Sequence, residues 1–143
     1  MSSLLDVNVL IALAWPNHVH HAAARQWFAR EHRRGWSTCP LTESGFVRVS
    51  SNHRMIPDAR TPGEAALVLH LLRAQPGHTF VQDVVSLGAD YVLVAGSIAG
   101  SAHVTDLHLA LLARASGHSL VTFDRGAAQV AGIVGAECEL LSL

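Results

Sequence analysis

Residues 3–13 read SLLDVNVLIAL, a short apolar stretch that runs into a carboxylate and then continues as a second apolar stretch. The residues before Asp6 predict the end of a buried strand, and residues 7–14 predict a helix that stops at Pro16. An acid at such a junction costs free energy unless something compensates its charge, and no basic residue lies in this stretch. Asp6 is therefore the first candidate for a functional group.

The same alternation of short strands and helices continues along the chain. Further strands are predicted at 36–39, 79–81, 119–123 and 137–141, and further helices at 20–34, 40–47, 65–74 and 106–115. Thr105 is predicted to cap the last of these helices and residues 124–126 to form a turn, whereas the Gly-, Ala- and Val-rich residues 84–99 are left unassigned. This alternation indicates an α/β sandwich around a mainly parallel sheet.

Length and composition favour a packed globular chain. The sequence has 143 residues, of which 50% are hydrophobic and 15% charged, which argues for a single domain over residues 1–143 and against disorder. The apolar stretches are too short to span a bilayer, and Asp6 lies where a signal peptide would be basic and then apolar. We therefore expect a cytoplasmic protein without a membrane anchor. Two cysteines, Cys39 and Cys138, form neither a disulfide framework nor a metal knuckle.

The absence of lysine excludes several classes of protein. All ten basic residues are arginines. A P-loop lysine, Schiff-base chemistry and the phosphate-contacting lysine of receiver domains and haloacid-dehalogenase-like phosphatases are therefore excluded. The net charge of −1 does not by itself indicate a nucleic-acid-binding protein.

Four acids are bounded by apolar sequence at the ends of predicted strands or the starts of predicted helices: Asp6, Glu43, Asp106 and Asp124. In a parallel sheet all four would project into one cleft at the carboxyl edge. Oxygen ligands without sulfur or imidazole favour a hard cation, Mg²⁺ or Mn²⁺, over zinc. The alternative is that each acid has a local role, Glu43 and Asp106 at a helix N-terminus and Asp124 in a turn. That alternative explains Asp6 and Asp124 less well, because clustered carboxylates raise one another's pKa unless a cation neutralises them.

Four motifs in order carry a resemblance to a known family. They are LLDVNVLIAL (4–13), TESGFVRV (42–49), VTDLHLALLA (104–113) and LVTFDRG (120–126). Together they resemble PIN-domain ribonucleases, and in particular the VapC-type toxins of bacterial toxin–antitoxin pairs. The resemblance covers nearly the whole chain and is weakest over residues 52–102. Val7 departs from it, because threonine or serine is frequent at that position.

The resemblance implies a three-layer α/β/α sandwich with about four or five strands, and it implies roles for individual residues. Asp6, Glu43, Asp106 and Asp124 would be the catalytic and metal-binding acids, with Asp6 and Asp106 as direct ligands of Mg²⁺ or, as a substitute, Mn²⁺. Asn8 and Thr105 would orient these acids without binding the metal themselves. The implied reaction is hydrolysis of an RNA phosphodiester, and the implied partners are a small VapB-like antitoxin and a second copy of the chain.

Basic residues near the acids are candidates for substrate binding. Arg125 directly follows Asp124 and Arg48 follows Glu43 by about one helical turn, so both are expected to contact phosphate. Among the histidines of NHVHH (17–21), only His18 and His21 have the spacing of zinc ligands on a helix, and no acid or cysteine nearby completes a site, so we expect a structural or adventitious role. Two alternatives to the enzyme remain: an inactive PIN-like module that binds RNA or protein, and a receiver-like switch, which the missing lysine argues against.

Overall fold

The computed structural model describes residues 1–142 as a parallel sheet with helices on both faces. The strands are β1 (Ser3–Leu5), β2 (Trp36–Thr38), β3 (His78–Phe80), β4 (Ser119–Thr122) and β5 (Cys138–Leu140). The helices are α1 (Val7–Ala14), α2 (His21–Glu31), α3 (Pro40–Ser50), α4 (Pro62–Arg73), α5 (Tyr91–Ser97), α6 (Val104–Ser116) and α7 (Arg125–Ile133). All neighbouring strands are parallel, in the order β3-β2-β1-β4-β5. The predicted α/β class and strand number are confirmed; residue 143 lies outside the described residues.

Two hydrophobic cores lie on opposite faces of the sheet. Successive strand residues point to opposite faces, so Leu4 packs with α6 and α7 whereas Leu5 packs with α1 to α4. The neighbouring strand β4 repeats this pattern with Leu120 and Val121, and all four side chains are fully buried. Burial on both faces makes the molecule a three-layer α/β/α sandwich, as the resemblance implied.

Several helix boundaries differ from the sequence-based expectation. Residues 124–126 were expected to form a turn, but α7 begins at Arg125 because the Asp124 carboxylate caps it, accepting a 2.8 Å hydrogen bond from the Gly126 amide. Helix α6 begins at Val104, so Thr105 lies inside its first turn and does not cap it, because a 3-10 turn at Ser101–His103 leads directly into the helix. These corrections leave the order of the elements unchanged.

Two further differences are local. The unassigned stretch 84–99 contains α5, and the long helix predicted over residues 20–34 ends as α2 at Glu31, followed by a 3-10 turn at His32–Arg34. Gly35 then turns the chain with a φ of 107°, a value that disfavours residues with a side chain. Within the part of the chain that the structure describes, no helix has the length and apolarity needed to cross a membrane.

The strand order places the acids. The chain moves outward from β1 to β2 and β3 on one side, then returns to β4 and β5 on the other, so the order reverses between β1 and β4. Ligands of open parallel sheets bind at such a reversal, outside the carboxyl ends of the strands. Asp6 directly follows β1, and Asp124 lies two residues beyond the end of β4.

Candidate active site

Asp6 is held rigidly at the centre of the site. Its side chain caps α1, with Oδ1 accepting a 2.7 Å hydrogen bond from the Val7 amide. Its Oδ2 accepts a 2.8 Å hydrogen bond from the hydroxyl of Thr122, the last residue of β4. Asp6 is only 8% exposed. The carboxylate therefore has a fixed orientation that two neighbouring strands determine together.

Asn8 connects the ends of the same two strands. Its Nδ2 donates to Asp6 Oδ2 at 3.3 Å and to Thr122 Oγ1 at 3.1 Å, while its Oδ1 accepts from the Phe123 amide at 3.1 Å. Thr122 Oγ1 also accepts from the Asp124 amide at 3.0 Å. Both ends of the Asn8 amide are thus used, and the orienting role of Asn8 remains a prediction.

The pKa of Asp6 is raised above its ordinary value, chiefly because burial disfavours the charged form. The hydrogen bonds from Thr122 and Val7 oppose this effect. The nearby charges of Asp106 and Asp124 raise the pKa further. The structure therefore brings these three predicted acids close enough for their charges to interact.

Asp106 lies in the first turn of α6 with its side chain 16% exposed. Its Oδ2 lies 3.3 Å from Nδ1 of His103, whose imidazole is about half exposed. Thr105, expected to orient Asp106, is exposed, and the contact observed for Asp106 comes from His103 instead. The orienting role of Thr105 remains a prediction.

Asp124 and His103 meet at the start of α7, around Gly126. A methyl group added at Gly126 would lie 3.2 Å from Asp124 Oδ1 and 3.3 Å from His103 Cε1. Both distances are tighter than ordinary van der Waals contacts. A glycine at this position therefore allows the imidazole and the exposed carboxylate of Asp124 to approach the N-terminus of α7.

Glu43 follows the end of β2, which lies on the opposite side of β1 from β4, and its charge is not among those that raise the pKa of Asp6. Its Oε2 accepts a 2.6 Å hydrogen bond from Thr38, the last residue of β2, and both of its carboxylate oxygens lie 3.3 Å from Nη1 of Arg73. Thr38 Oγ1 is also 2.8 Å from Nε2 of His78. Burial and the charge of Arg73 lower the pKa of His78. Glu43 thus forms an ion pair with Arg73, which the sequence did not indicate.

The chemistry of the donors fits a hard divalent cation. Asp6, Asp106 and Asp124 offer carboxylate oxygens only, and their mutual repulsion is what a bound cation would offset. In residues 1–142, no three His, Cys, Asp or Glu side chains are already gathered closely enough to hold a metal ion. Each carboxylate is instead turned towards a hydrogen-bond donor of the protein. Metal binding therefore requires these acids to move from the hydrogen-bonded positions described here.

The remaining candidates have the following positions. Arg48 and Arg125 are exposed, with Arg125 directly beside Asp124 at the start of α7. The histidines of residues 17–21 have structural contacts, as expected. His21 Nδ1 lies 2.7 Å from the carbonyl oxygen of Ala12, and the ring of His20 stacks on Phe123 with centroids 4.3 Å apart.

Four residues of this site were not singled out from the sequence: Thr38, Arg73, His103 and Thr122. Thr122 had a detectable signal, because it ends an apolar strand two residues before Asp124. Arg73 had no such signal in the sequence, since it lies 30 residues from Glu43 and reaches it only when α4 packs on α3.

Comparison with known proteins gives concordant results. Residues 3–133 match the family model of the PIN domain. Ribonuclease VapC38 of Mycobacterium tuberculosis is 53% identical over 124 residues, which are 87% of this chain and 86% of that protein. Ribonuclease VapC39 of the same species is 47% identical over 131 residues, 92% of this chain and 94% of that protein.

A solved structure agrees with the fold. One chain of VapBC2 from Rickettsia felis, crystallised with a DNA fragment from its promoter, matches 99% of this chain and 100% of its own length with a TM-score of 0.67. The two sequences are 13% identical, so this likeness supports the fold alone.

Proposed function

Since the chain belongs to the PIN-domain family, and within it to the VapC ribonucleases, we propose that it is an endoribonuclease that acts as the toxin of a toxin–antitoxin pair. The observation that carries this proposal is the placement of Asp6, Asp106 and Asp124 near enough for their charges to act on Asp6, at the point where the strand order reverses. Three carboxylates at that point match the chemistry of phosphodiester hydrolysis. Two of them also cap helices, but capping does not account for placing all three together, because like charges in proximity cost free energy.

The site takes a divalent metal ion, as PIN-domain VapC ribonucleases generally do. We assign Mg²⁺, with Mn²⁺ as a substitute, to Asp6, Asp106 and Asp124, with Glu43 completing the set. When bound, the cation offsets the repulsion between the carboxylates and makes a water molecule a better nucleophile towards phosphorus. Thr105 is assigned a supporting role beside Asp106.

The residues of the chain contribute orientation to the reaction. Thr122 and the Val7 amide fix both oxygens of Asp6, and Asn8 ties the end of β4 to this carboxylate. Arg125 and Arg48 are assigned to phosphate contacts on either side of the scissile bond. The oxygen of water would form a bond to phosphorus and release one proton to solvent, the bond from phosphorus to the 3′-oxygen would break, and the 3′-oxygen would take up a proton from solvent. The products are a 3′-hydroxyl and a 5′-phosphate.

The same proposal includes the partners and setting of the protein. We expect a small VapB-like antitoxin to silence it, with an acidic cleft that suits an arginine of that partner. We also expect a homodimer, a cytoplasmic location and a single PIN-like domain over residues 1–143. The match to the family model over residues 3–133 supports the single domain.

The test uses the purified full chain incubated with total RNA and either Mg²⁺ or Mn²⁺. We expect discrete cleavage products that disappear with EDTA and in Asp6→Asn, with 5′-phosphate ends on the fragments. Asp58→Asn removes an exposed acid from a loop and serves as the matched control, with cleavage like the original chain. Binding without cleavage, or equal cleavage by Asp6→Asn, would replace the enzyme by the inactive binding module.

A further inference from the structure

An aromatic side chain is exposed at the same sheet edge as the acids. Phe80 is the last residue of β3 and is 40% exposed, whereas Trp36 and Phe46 are fully buried. Phe80 pairs in register with Thr38, whose hydroxyl donates to Glu43. The ring therefore lies at the level of the acidic cleft, one strand beyond the strand that leads to Glu43.

An arginine covers this ring and also reaches the cleft. The guanidinium carbon of Arg73 lies 5.4 Å from the centre of the Phe80 ring, and Nη1 of the same side chain lies 3.3 Å from the Glu43 carboxylate. The Arg73 side chain is 41% exposed. Within residues 1–142, Glu43 is the one acid that forms an ion pair with Arg73. Because a guanidinium has five donors, several of them remain for an incoming ligand.

The position of this pair suits a nucleotide next to the one that is cleaved. Strand β3 is separated from β1 by β2 alone, and strands lie about 4.8 Å apart, so the pair is about 10 Å from the strand that carries Asp6. Single-stranded RNA is bound by aromatic rings that stack on bases and by arginines that contact phosphate or stack in turn. The positive charge of Arg73 also reduces the repulsion between the acids and the RNA backbone. Because the chain has no lysine, this charge has to come from arginine.

We propose that Phe80 and Arg73 form a nucleotide-binding subsite for single-stranded RNA beside Glu43, with the base against the part of the ring that Arg73 leaves exposed and a phosphate on the guanidinium. The subsite rests on the proposed ribonuclease function and adds a residue pair that sets how RNA lies across the acids. Phe80 is 40% exposed whereas Trp36 is fully buried, so part of the Phe80 side chain is accessible to a ligand.

The test measures RNA binding without cleavage. Fluorescence anisotropy of a labelled single-stranded RNA of about 20 nucleotides is followed in EDTA with the full chain. We expect Phe80→Ala and Phe80→Leu to weaken binding about tenfold, because both lose the aromatic face, and Phe80→Trp to retain it. Arg73→Gln weakens binding and lowers the slope of log affinity against log salt by about one, since one phosphate contact is lost.

Matched controls remove similar groups elsewhere. Tyr91→Ala removes an aromatic side chain that is 70% exposed on α5, and Arg54→Gln removes an exposed arginine; both are expected to bind RNA like the original chain. Urea midpoints of all variants establish that they are folded. Equal binding by Phe80→Ala and Phe80→Trp, or no RNA binding by the original chain, overturns the proposal. A changed sedimentation coefficient with unchanged RNA binding also overturns it, and assigns Phe80 to a protein contact.

The two proposals fail separately. A chain that binds RNA through Phe80 in EDTA but does not cut RNA with Mg²⁺ or Mn²⁺ retains the subsite and loses the ribonuclease function. A chain that cuts RNA equally well with Phe80 or Ala at this position retains the ribonuclease function and loses the subsite.

Discussion

The hydroxyl of Thr122 lies 2.8 Å from Oδ2 of Asp6, and this hydrogen bond joins the ends of β4 and β1. The hydroxyl oxygen of Thr122 also accepts hydrogen bonds from the amide of Asp124 and from Nδ2 of Asn8. One hydroxyl thus satisfies one carboxylate and fixes the backbone of another acid. Thr122 is consequently a positioning residue for both.

Replacement of this hydroxyl tests that role. Thr122→Val keeps the shape of the side chain but leaves Asp6 Oδ2 without its shortest donor, so we expect a loss of about 1–3 kcal/mol in the free energy of unfolding. Affinity for Mn²⁺, measured by calorimetry, should fall together with stability. Thr122→Ser restores the hydroxyl and should recover most of both quantities. Equal Mn²⁺ affinity in Thr122→Val and the original chain would contradict the positioning role.

Asp6 is predicted to make stability depend on pH in the absence of metal. Its pKa in the folded state is raised above 3.8, its ordinary value, so folding takes up a proton between the two pKa values. The free energy of unfolding contributed by Asp6 therefore falls as the pH rises through that window. In EDTA we expect Asp6→Asn to have a higher urea midpoint than the original chain at pH 7, with a difference that shrinks as the pH is lowered towards 3.8.

Two comparisons make this prediction specific. Asp58→Asn removes one negative charge from an exposed loop and accounts for the change in net charge. Addition of Mn²⁺ should raise the midpoint of the original chain and leave that of Asp6→Asn unchanged, because the carboxylate is the proposed ligand. A lower urea midpoint for Asp6→Asn at pH 7 would contradict the prediction, because it would show that the protein already compensates the free-energy cost of burying the Asp6 charge.

Asp124 has a structural role that can be separated from its proposed chemical one. Its Oδ1 caps α7 through the Gly126 amide, and asparagine can make the same hydrogen bond. We expect Asp124→Asn to keep the stability of the original chain and Asp124→Ala to lose about 0.5–2 kcal/mol in urea unfolding. RNA cleavage should be lost in both variants. Normal RNA cleavage by a folded Asp124→Asn variant would show that Asp124 caps α7 and has no catalytic role.

The packing of α1 on α3 depends on a missing side chain at Gly45. A Cβ at this position would lie 2.6 Å from Cγ2 of Val7, the residue next to Asp6. We expect Gly45→Ala to destabilise the chain by about 1–3 kcal/mol, because the two helices must move apart. Val7→Ala in the same chain should recover part of the loss. Gly132→Ala adds a methyl group where no atom lies within 4 Å and should be neutral or stabilising, as urea midpoints would show.

The parts of the fold that the sequence predicted are those with local signals. Asp6 and Asp124 interrupt apolar strands, and such interruptions are visible within a few residues. Thr61 and Glu64 have the sequence spacing of a capping box, and the structure forms this box at the start of α4. Short-range patterns of this kind predicted the parallel sheet, and the sheet in turn predicted that the acids share one edge.

The parts that were missed depend on distant contacts or on ambiguous composition. An aspartate before Arg125 and Gly126 is equally compatible with a turn and with a helix cap, and only the packing of α7 on α6 selects the cap. Helix α5 is short and lies in a Gly-, Ala- and Val-rich stretch without a clear helical period. The ion pair between Arg73 and Glu43 joins residues 30 positions apart and has no sequence signature.

The hydrogen bond between Asp6 and Thr122 also has a consequence for the synthesis of the chain. These residues are 116 positions apart, so the first strand made by the ribosome obtains its partner β4 only after most of the chain has been translated. Pairing over such a separation is slow and requires both segments to be free of the exit tunnel. A nascent chain therefore carries Asp6 without its orienting hydroxyl, and an enzyme directed against RNA stays without an assembled centre while its own messenger is being read.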